Sequence, residues 1–379
     1  MNRRYITVAC VLIVALGGGI FYFLRERKNE KGVYFAPLSR ENIDRAIDRG
    51  LFFIEEQQRP DGSFLLYVCD VTEPERCDPI QSAVHTAGVI AALLPFRDDP
   101  RVRAMVEKAK PFIFENMDTT PDGRHAVWNL FGKKDERYDR IPADIDSTAL
   151  VSITLKKYSI AFPDDVSALE QYKNEGGLFY NWISDSWNLN EKSRHSFGGG
   201  KESDFSDKNY FGVDCVVNTD VLTYLSYVGK ESPEICAYVN NVVETQTYPQ
   251  CTFYYRNPYL FAFVVAVGNK DNNVTCTAPS MQKLQNYVVT QERGDGTWSS
   301  NVFSNVSAIG TLLKTGYRGE FVDRGIQRVL EQQATDGGWA KANLFPDLYN
   351  PVFYGSKAIS TAVILNVLAM YQENEQKPR

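Results

Sequence analysis

The sequence predicts an all-α chain: a single (α/α)6 toroid of six helical hairpins, preceded by one N-terminal transmembrane helix. Three observations carry that expectation. A turn phrase recurs at intervals of roughly one hairpin: QQRPDGSF at Gln57–Phe64, TTPDGRHAVW at Thr119–Trp128, KNEGGLFYNW at Lys173–Trp182, QERGDGTW at Gln291–Trp298 and QQATDGGW at Gln332–Trp339. Each copy follows an amphipathic stretch and precedes a more apolar one, and a recurring helix–turn–helix unit decides a fold as a whole. The third observation is the uncharged run Tyr5–Leu24 at the start of the chain.

That run is about twenty residues long, enough to span a bilayer as a helix. It is longer than the apolar core of a signal peptide and lacks a clean small-residue cleavage site. Residues 1–31 are therefore expected to form an uncleaved membrane anchor with its flanks. Arg3 and Arg4 on one side and Arg25, Arg27, Lys28 and Lys31 on the other leave its orientation open. A polar linker, 32–40, leads to the toroid at 41–372, and 373–379 is a polar tail.

Six hairpins follow in order. The spacing predicts Glu41–Gln58 with Gln81–Phe96, Arg101–Asn116 with Ser147–Ile160, and Asp165–Tyr172 with Val217–Val228. The chain continues with Pro233–Thr245 and Pro258–Val267, Ser280–Gln291 and Asn305–Thr315, and Phe321–Gln333 and Ile359–Tyr371. The first member of each pair carries its charges on one face, as a solvent-facing helix does. The second is apolar nearly all round (AGVIAALL, TALVSITL, YLFAFVVAV, TAVILNVLAMY), the pattern of a helix buried in a larger assembly. Wetted outer and buried inner helices close into a ring around a cavity. Turn glycines supply positive φ or close approach, and Gln and Trp of the same turn can join neighbouring hairpins. Trp298 and Trp339 are accordingly read as structural.

Composition narrows the function. A formal charge of −6 gives no basic footprint for nucleic acid. The 22 Phe, 21 Tyr and 5 Trp fit a packed core or an aromatic-lined cavity. Cys10 lies in the apolar run, which leaves Cys69, Cys77, Cys215, Cys236, Cys251 and Cys276, an even number compatible with disulfides and an oxidising compartment. Cys69 and Cys77 bracket a short polar loop and are expected to pair, while six free buried thiols are the alternative. With no CxxC pair and only His85, His125 and His195, no metal or other cofactor is expected. An extracytoplasmic toroid on a single-pass anchor is the expected location. Asn273-Val-Thr and Asn305-Val-Ser match glycosylation triplets, the second at the start of an expected buried helix.

The inner-helix starts read VHTAG at Val84, DSTAL at Asp146, VNTDV at Val217 and ISTAV at Ile359. Ser147, Asn218 and Ser360 are good N-cap residues, which accounts for their recurrence. Asp144 and Asp146 occur in the second unit only, Asp214 and Asp220 in the third only, and His85 stands where other units have a cap. All these starts are expected at one mouth of the cavity.

Together the α/α repeat and its Gln–Trp turns resemble the terpenoid cyclase and protein prenyltransferase superfamily over about residues 41–372. PADIDSTA at Pro142–Ala149 is similar to the Asp-x-Asp-Asp-Thr-Ala motif of class II terpene cyclases such as squalene–hopene cyclase. That resemblance implies acid-initiated cyclisation or isomerisation of an isoprenoid, with Asp146 as the proton donor and Asp144 as the neighbour that tunes it. Clustered carboxylates keep one of their number protonated near neutral pH. His85, Ser147, Asp214, Asn218 and Asp220 would complete the polar rim. Trp128, Phe179, Tyr180, Trp182, Tyr254, Tyr255, Tyr259 and Tyr354 are candidates to stabilise a carbocation through their ring faces, at about 0.5–2 kcal/mol each. The motif departs from the family at Ser147, where a second aspartate is usual, and the chain has length for one helical domain where the cyclases join two.

Other readings stand beside this one. Asp144 and Asp146 can simply cap the inner helix. The prenyltransferase zinc site needs Asp, Cys and His, and no histidine lies downstream of His195. A glycan-active (α/α)6 enzyme could use paired carboxylates from Asp144, Asp146, Asp214 and Asp220. The long polar segment Asp185–Gly212, with Trp187, His195 and Gly198–Gly200, is then expected to cover the mouth. A ring that binds without chemistry is the third reading.

Overall fold

The computed structural model describes residues 38–183, 212–252, 254–347 and 350–376. The expected anchor, Tyr5–Leu24, and nearly all of Asp185–Gly212 lie outside the described residues. Among the described residues no helix is long and apolar enough to cross a membrane.

Eleven α-helices are present among the described residues: α1 (Arg40–Gln57), α2 (Ala83–Ala92), α3 (Pro100–Glu115), α4 (Ile145–Lys157), α5 (Cys215–Tyr227), α6 (Pro233–Thr245), α7 (Pro258–Asp271), α8 (Met281–Thr290), α9 (Val302–Lys314), α10 (Glu320–Glu331) and α11 (Lys357–Gln376). The outer member of the third hairpin, expected as an α-helix, is a 3-10 helix at Val166–Tyr172. It is only seven residues long, and a segment that short gains little from α-helical propagation. Proline begins α3, α6 and α7, where its missing N–H costs nothing.

Inner helices α2, α4, α5, α7, α9 and α11 pack each against the next, and α11 packs back on α2, so the ring closes. Outer helix α1 buries Ile43, Ala46, Ile47, Gly50, Leu51, Phe53 and Ile54 and exposes Asp44, Arg45, Asp48, Arg49 and Phe52 between them, the stripe of a helix wetted on one side.

The repeated turns join hairpins. Gln58 Nε2 donates to Gly62 O at 3.0 Å and to Met105 O of the next outer helix at 2.9 Å. Gln333 Nε2 does the same to Gly337 O (2.8 Å) and Ala46 O (2.9 Å), linking the last hairpin to the first. In the fifth unit Glu292 takes the place of that glutamine: it accepts from Gly294 N and Gly296 N and faces Arg324 at 3.3 Å. Gly62 and Gly337 have φ of 89° and 90°. A Cβ there would stand 2.0 Å from Lys108 O and 2.5 Å from Arg49 O, so no side chain fits between the hairpins.

The chain is mostly helical rather than all-α. Strands β1 (Leu65–Asp70), β2 (Cys77–Gln81), β5 (Phe345–Pro346) and β6 (Val352–Gly355) form an antiparallel sheet in the order β2-β1-β6-β5, and β3 (Met117–Thr119) pairs with β4 (Ala126–Trp128). The larger sheet joins the first hairpin to the last, with Tyr67 opposite Gly355 and Val68 opposite Tyr354. Leu66 is buried on one face of β1, and the β1–β2 hairpin closes on the Cys69–Cys77 disulfide, as expected. Cys215 pairs with Cys251 and Cys236 with Cys276. Asn273 lies exposed in a left-handed turn, whereas Asn305 is buried.

Candidate functional site

The inner helices enclose a cavity of about 970 Å³, the size of a small-molecule site. The helical period sets its lining. On α4 the residues that line it are Asp146, Ser147, Leu150, Ile153, Thr154 and Lys157; on α5 they include Val216, Asp220, Thr223 and Tyr227. Positions spaced by three and four share one face of a helix. The middle of the cavity is therefore largely apolar, with a carboxyl in the N-terminal half of each of these two helices.

Asp146 and Asp220 are hydrogen-bonded to each other. Burial raises both carboxyls above the ordinary value of 3.8, and the charge of Asp146 then pushes Asp220 well above it, so Asp220 is the partner that keeps its proton longer. Tyr255 donates its hydroxyl to Asp146 Oδ2, and its own ionisation is driven far up by burial and by the Asp146 charge. The next inner helix thus places a second carboxyl beside Asp146.

Asp144 is both a helix cap and a cavity-lining carboxyl. Its side chain caps α4, accepting from Ser147 N at 2.6 Å and Ser147 Oγ at 2.7 Å. It also lines the cavity, and burial followed by the Asp146 charge raises its pKa to about 7. Asp144 pairs with Trp182 in an isolated β-bridge, and Ile145 N donates to Asn181 O at 2.9 Å, which seats Trp182 beside the acid.

Asp214 is not a rim residue. It is wholly buried as the N-cap of α5, accepting from Val216 N at 2.8 Å. Its other oxygen accepts from Thr252 Oγ1 at 2.7 Å, and that hydroxyl accepts from Tyr255 N at 2.9 Å. With the neighbouring Cys215–Cys251 disulfide, Asp214 anchors the segment that carries Tyr254 and Tyr255 over the cavity.

Asn218 is likewise buried and away from the cavity wall. It accepts from Phe179 N at 2.9 Å and donates to Phe179 O at 3.0 Å. The same clip recurs around the ring: Thr86 accepts from Phe64 N, Thr148 from Trp128 N, Asn305 from Trp298 N and Thr361 from Trp339 N. The N-caps themselves lie further back, at Ser82, Asp144, Asp214 and Asn301, so Asn218 recurs as a clip, Ser147 sits one turn past its cap, and Ser360 accepts from Ala342 N. His85 does line the cavity. Burial depresses its pKa to about 3, and the neutral ring is hydrogen-bonded to Ser356 Oγ at 2.9 Å and to the Leu65 backbone.

Of the eight aromatic candidates, Trp182, Tyr254 and Tyr255 line the cavity. Trp182 and Tyr254 meet edge to face at 6.2 Å. Trp128 and Phe179 are fully buried as the turn aromatics of their units, and Trp128 Nε1 donates to Ile113 O. Tyr180 pairs its backbone with Tyr172, Tyr259 packs on Tyr287 and Tyr354 stacks on Phe345, all off the cavity wall. Phe263, Phe303 and Phe345, which the turn phrase does not mark, line the cavity. Among the described residues no cluster of three or more His, Cys, Asp or Glu is arranged to hold a metal ion.

No family model and no curated protein matches the sequence. Among solved structures the fold is similar to the type II terpene cyclase MstE from Scytonema, at 13% identity and a TM-score of 0.65, over 88% of this chain and 99% of that one. The chain has the α/α toroid fold of the terpenoid cyclases. A protein from Actinoplanes is similar at 15% identity and a TM-score of 0.64, over 87% of this chain and 99% of that one. An unsaturated glucuronyl hydrolase specific for heparin is similar at 10% identity and a TM-score of 0.56, over 89% of this chain and 99% of that one. MstE is also known with geranylgeranyl dihydroxybenzoate, its substrate, and with merosterolic acid A, its product. At these identities the likeness establishes the fold.

Proposed function

We propose that the protein cyclises or isomerises an isoprenoid by protonating a terminal alkene, with Asp146 as the acid. The observation that carries this reading is the hydrogen-bonded Asp146–Asp220 pair at the carboxyl-bearing end of an otherwise apolar cavity. Alkene protonation requires an acid whose conjugate base is stabilised at once. Asp146 delivers its proton to the alkene carbon, and the carboxylate it leaves accepts from Tyr255 and from Asp220. The carbon–carbon double bond becomes a tertiary cation, an internal double bond closes on it, and loss of a proton from the product restores the balance. Trp182 and Tyr254 present ring surface near the acid, where a cation is favoured. Water, which would quench it, finds few partners among Leu150, Ile153, Val216 and Leu260.

Glycoside hydrolysis fits less well. Its two carboxyls flank the scissile bond at about 5 Å or more, whereas Asp146 and Asp220 bond to each other. A purely binding ring would not need two buried carboxyls side by side in its cavity. The anchor at Tyr5–Leu24 and an extracytoplasmic toroid belong to the same proposal, supported by the pairing of all six cysteines among the described residues. The decisive experiment incubates wild type, Asp146→Asn and Asp220→Asn with a panel of isoprenoids and identifies products by mass spectrometry. Product from wild type that Asp146→Asn abolishes supports the assignment; no product from any isoprenoid removes it.

A further inference from the structure

The Cys69–Cys77 bridge differs from the other two disulfides in its surroundings. Lys341 Nζ lies 2.9 Å from Cys69 Sγ, 2.7 Å from Cys77 Sγ and 3.0 Å from Pro74 O. Lys341 makes no salt bridge among the described residues, so its charge is directed at the two sulfurs. Those sulfurs are not equivalent. Cys69 is fully buried, whereas Cys77 is partly exposed on the edge strand β2. Exposure alone does not mark this bridge, because Cys276 is exposed too. What the Cys215–Cys251 and Cys236–Cys276 bridges lack, among the described residues, is a lysine or arginine nitrogen at their sulfurs. The Cys69–Cys77 bridge is also the weakest staple of the three. Its cysteines are separated by 8 residues, against 36 and 40 for the others, and the shortest loop constrains the unfolded chain least. The strands it joins are already held by backbone pairing, with Cys69 opposite Cys77 of β2 on one side and Phe353 of β6 on the other.

We propose that Cys69–Cys77 is a thiol-exchange site, in which an incoming thiolate attacks Cys77 Sγ and Lys341 holds the thiolate that leaves on Cys69. A bond forms between the incoming sulfur and Cys77 Sγ as the Cys69–Cys77 bond breaks, and the electron pair of the broken bond stays on Cys69 Sγ. The incoming sulfur is oxidised and Cys69 is reduced. A dithiol completes the reaction: its second thiolate attacks the sulfur bound to Cys77, Cys77 leaves as a thiolate, and the dithiol departs as a disulfide. The two protons of the dithiol pass to the two cysteines or to solvent. Exchange is faster when the leaving thiolate is better stabilised, and a neighbouring ammonium stabilises a thiolate. Lys341 reaches both sulfurs and so serves both steps. The site borders the cavity, since β1 contributes Leu66 to its wall and the chain after Lys341 contributes Leu344 and Phe345. It stands independently of the isoprenoid reading.

The test follows the sulfurs one by one. The oxidised full chain is mixed with reduced glutathione, or with reduced thioredoxin at equal thiol concentration, then quenched in acid, alkylated and mapped by peptide mass spectrometry. Glutathione should appear on Cys77 with the alkyl label on Cys69. Its rate of appearance should exceed that at Cys236–Cys276 by at least about tenfold, the worth of one hydrogen bond to a charged group. Lys341→Gln should slow exchange at Cys77 about tenfold and leave Cys236–Cys276 unchanged, while Lys341→Arg should keep most of the wild-type rate. The second bridge serves as the check on folding, because a variant that merely loosens the protein would open both bridges faster. Equal rates at the two bridges, glutathione on Cys69 in place of Cys77, or a Lys341→Gln rate equal to or above wild type would overturn the proposal. Faster exchange with glutathione supports the site with a small thiol as its partner, and faster exchange with thioredoxin supports it with a dithiol protein. No exchange with either overturns it.

Discussion

Asp144 offers a direct test of how the cavity treats charge. Its pKa is raised from 3.8 to about 7, first by burial and then by the Asp146 charge. At roughly 1.4 kcal/mol per tenfold change, the folded protein disfavours the charged Asp144 by about 4 kcal/mol. Because the folded value lies above the unfolded one, the folded state holds a proton between pH 4 and 7 that the unfolded chain has lost. Stability therefore falls as pH rises through that window and levels off above it. Asp144→Asn keeps the cap, since Asn also accepts from the Ser147 N–H, and cannot ionise. Denaturant unfolding of both proteins from pH 4 to 9 should show similar stability at pH 4. The variant should then gain steadily on wild type, reaching about 4 kcal/mol above pH 7. In an Asp146→Asn background the gain should be smaller, because part of the effect is the neighbouring charge. A difference that stays flat from pH 4 to 9, or wild type gaining on the variant, would refute the reasoning.

Three further outcomes follow from the turns and the disulfides. Gly294 and Gly337 have nearly the same φ, 88° and 90°, but a Cβ at Gly294 meets nothing within 4 Å while one at Gly337 meets Arg49 O at 2.5 Å. By thermal unfolding, Gly294→Ala should cost about 1–2 kcal/mol and Gly337→Ala clearly more; equal costs would mean the hairpins are not seated on that glycine. Asn305→Leu leaves the Trp298 and Ser299 N–H groups, both 2.8 Å from Asn305 Oδ1, without an acceptor. It should destabilise by about 2–5 kcal/mol, read from denaturant midpoints, and a loss below 1 kcal/mol would count against the clip. Lys341 Nζ lies 2.9 Å from Cys69 Sγ and 2.7 Å from Cys77 Sγ, where an ammonium favours the thiolate form. Cys77 is also partly exposed, so under limiting dithiothreitol this bridge should open before Cys215–Cys251 and Cys236–Cys276, as alkylation and peptide mass spectrometry would show.

The ring was legible in the sequence because each inner helix is apolar on all sides and only a closed array of such helices buries them. The strands were not. Leu65–Asp70 is a six-residue run between a turn and a polar loop, and its partner β6 lies near the other end of the chain, a pairing that no local pattern reveals. Two of the aromatic candidates, Trp128 and Phe179, lie off the cavity for a more instructive reason. Trp128 and Phe179 occupy the same turn position as Trp298 and Trp339, and their backbone N–H groups meet the same clip residue of the following inner helix. Applied evenly, the argument that made Trp298 and Trp339 structural would have removed both from the cavity.

The same clip explains why the acid pair lies where it does. Thr148 and Asn218 each fix the rotation of their helix by gripping the preceding turn, and once rotation is fixed, the cavity-facing positions follow from the helical period. Asp146 stands two residues before its clip and Asp220 two residues after its own. Positions four apart share a face, so on adjacent inner helices the two carboxyls look into the same space. Ser147, the position at which the motif falls short of the family, lies a step away from Asp146 around the helix and hydrogen-bonds the capping Asp144 instead. A local motif therefore undercounts the carboxylates of a ring, whose neighbours in space come from the next hairpin. The repeat and the site are linked in this way: the clips that seal the turns also aim Asp146 and Asp220 at one another.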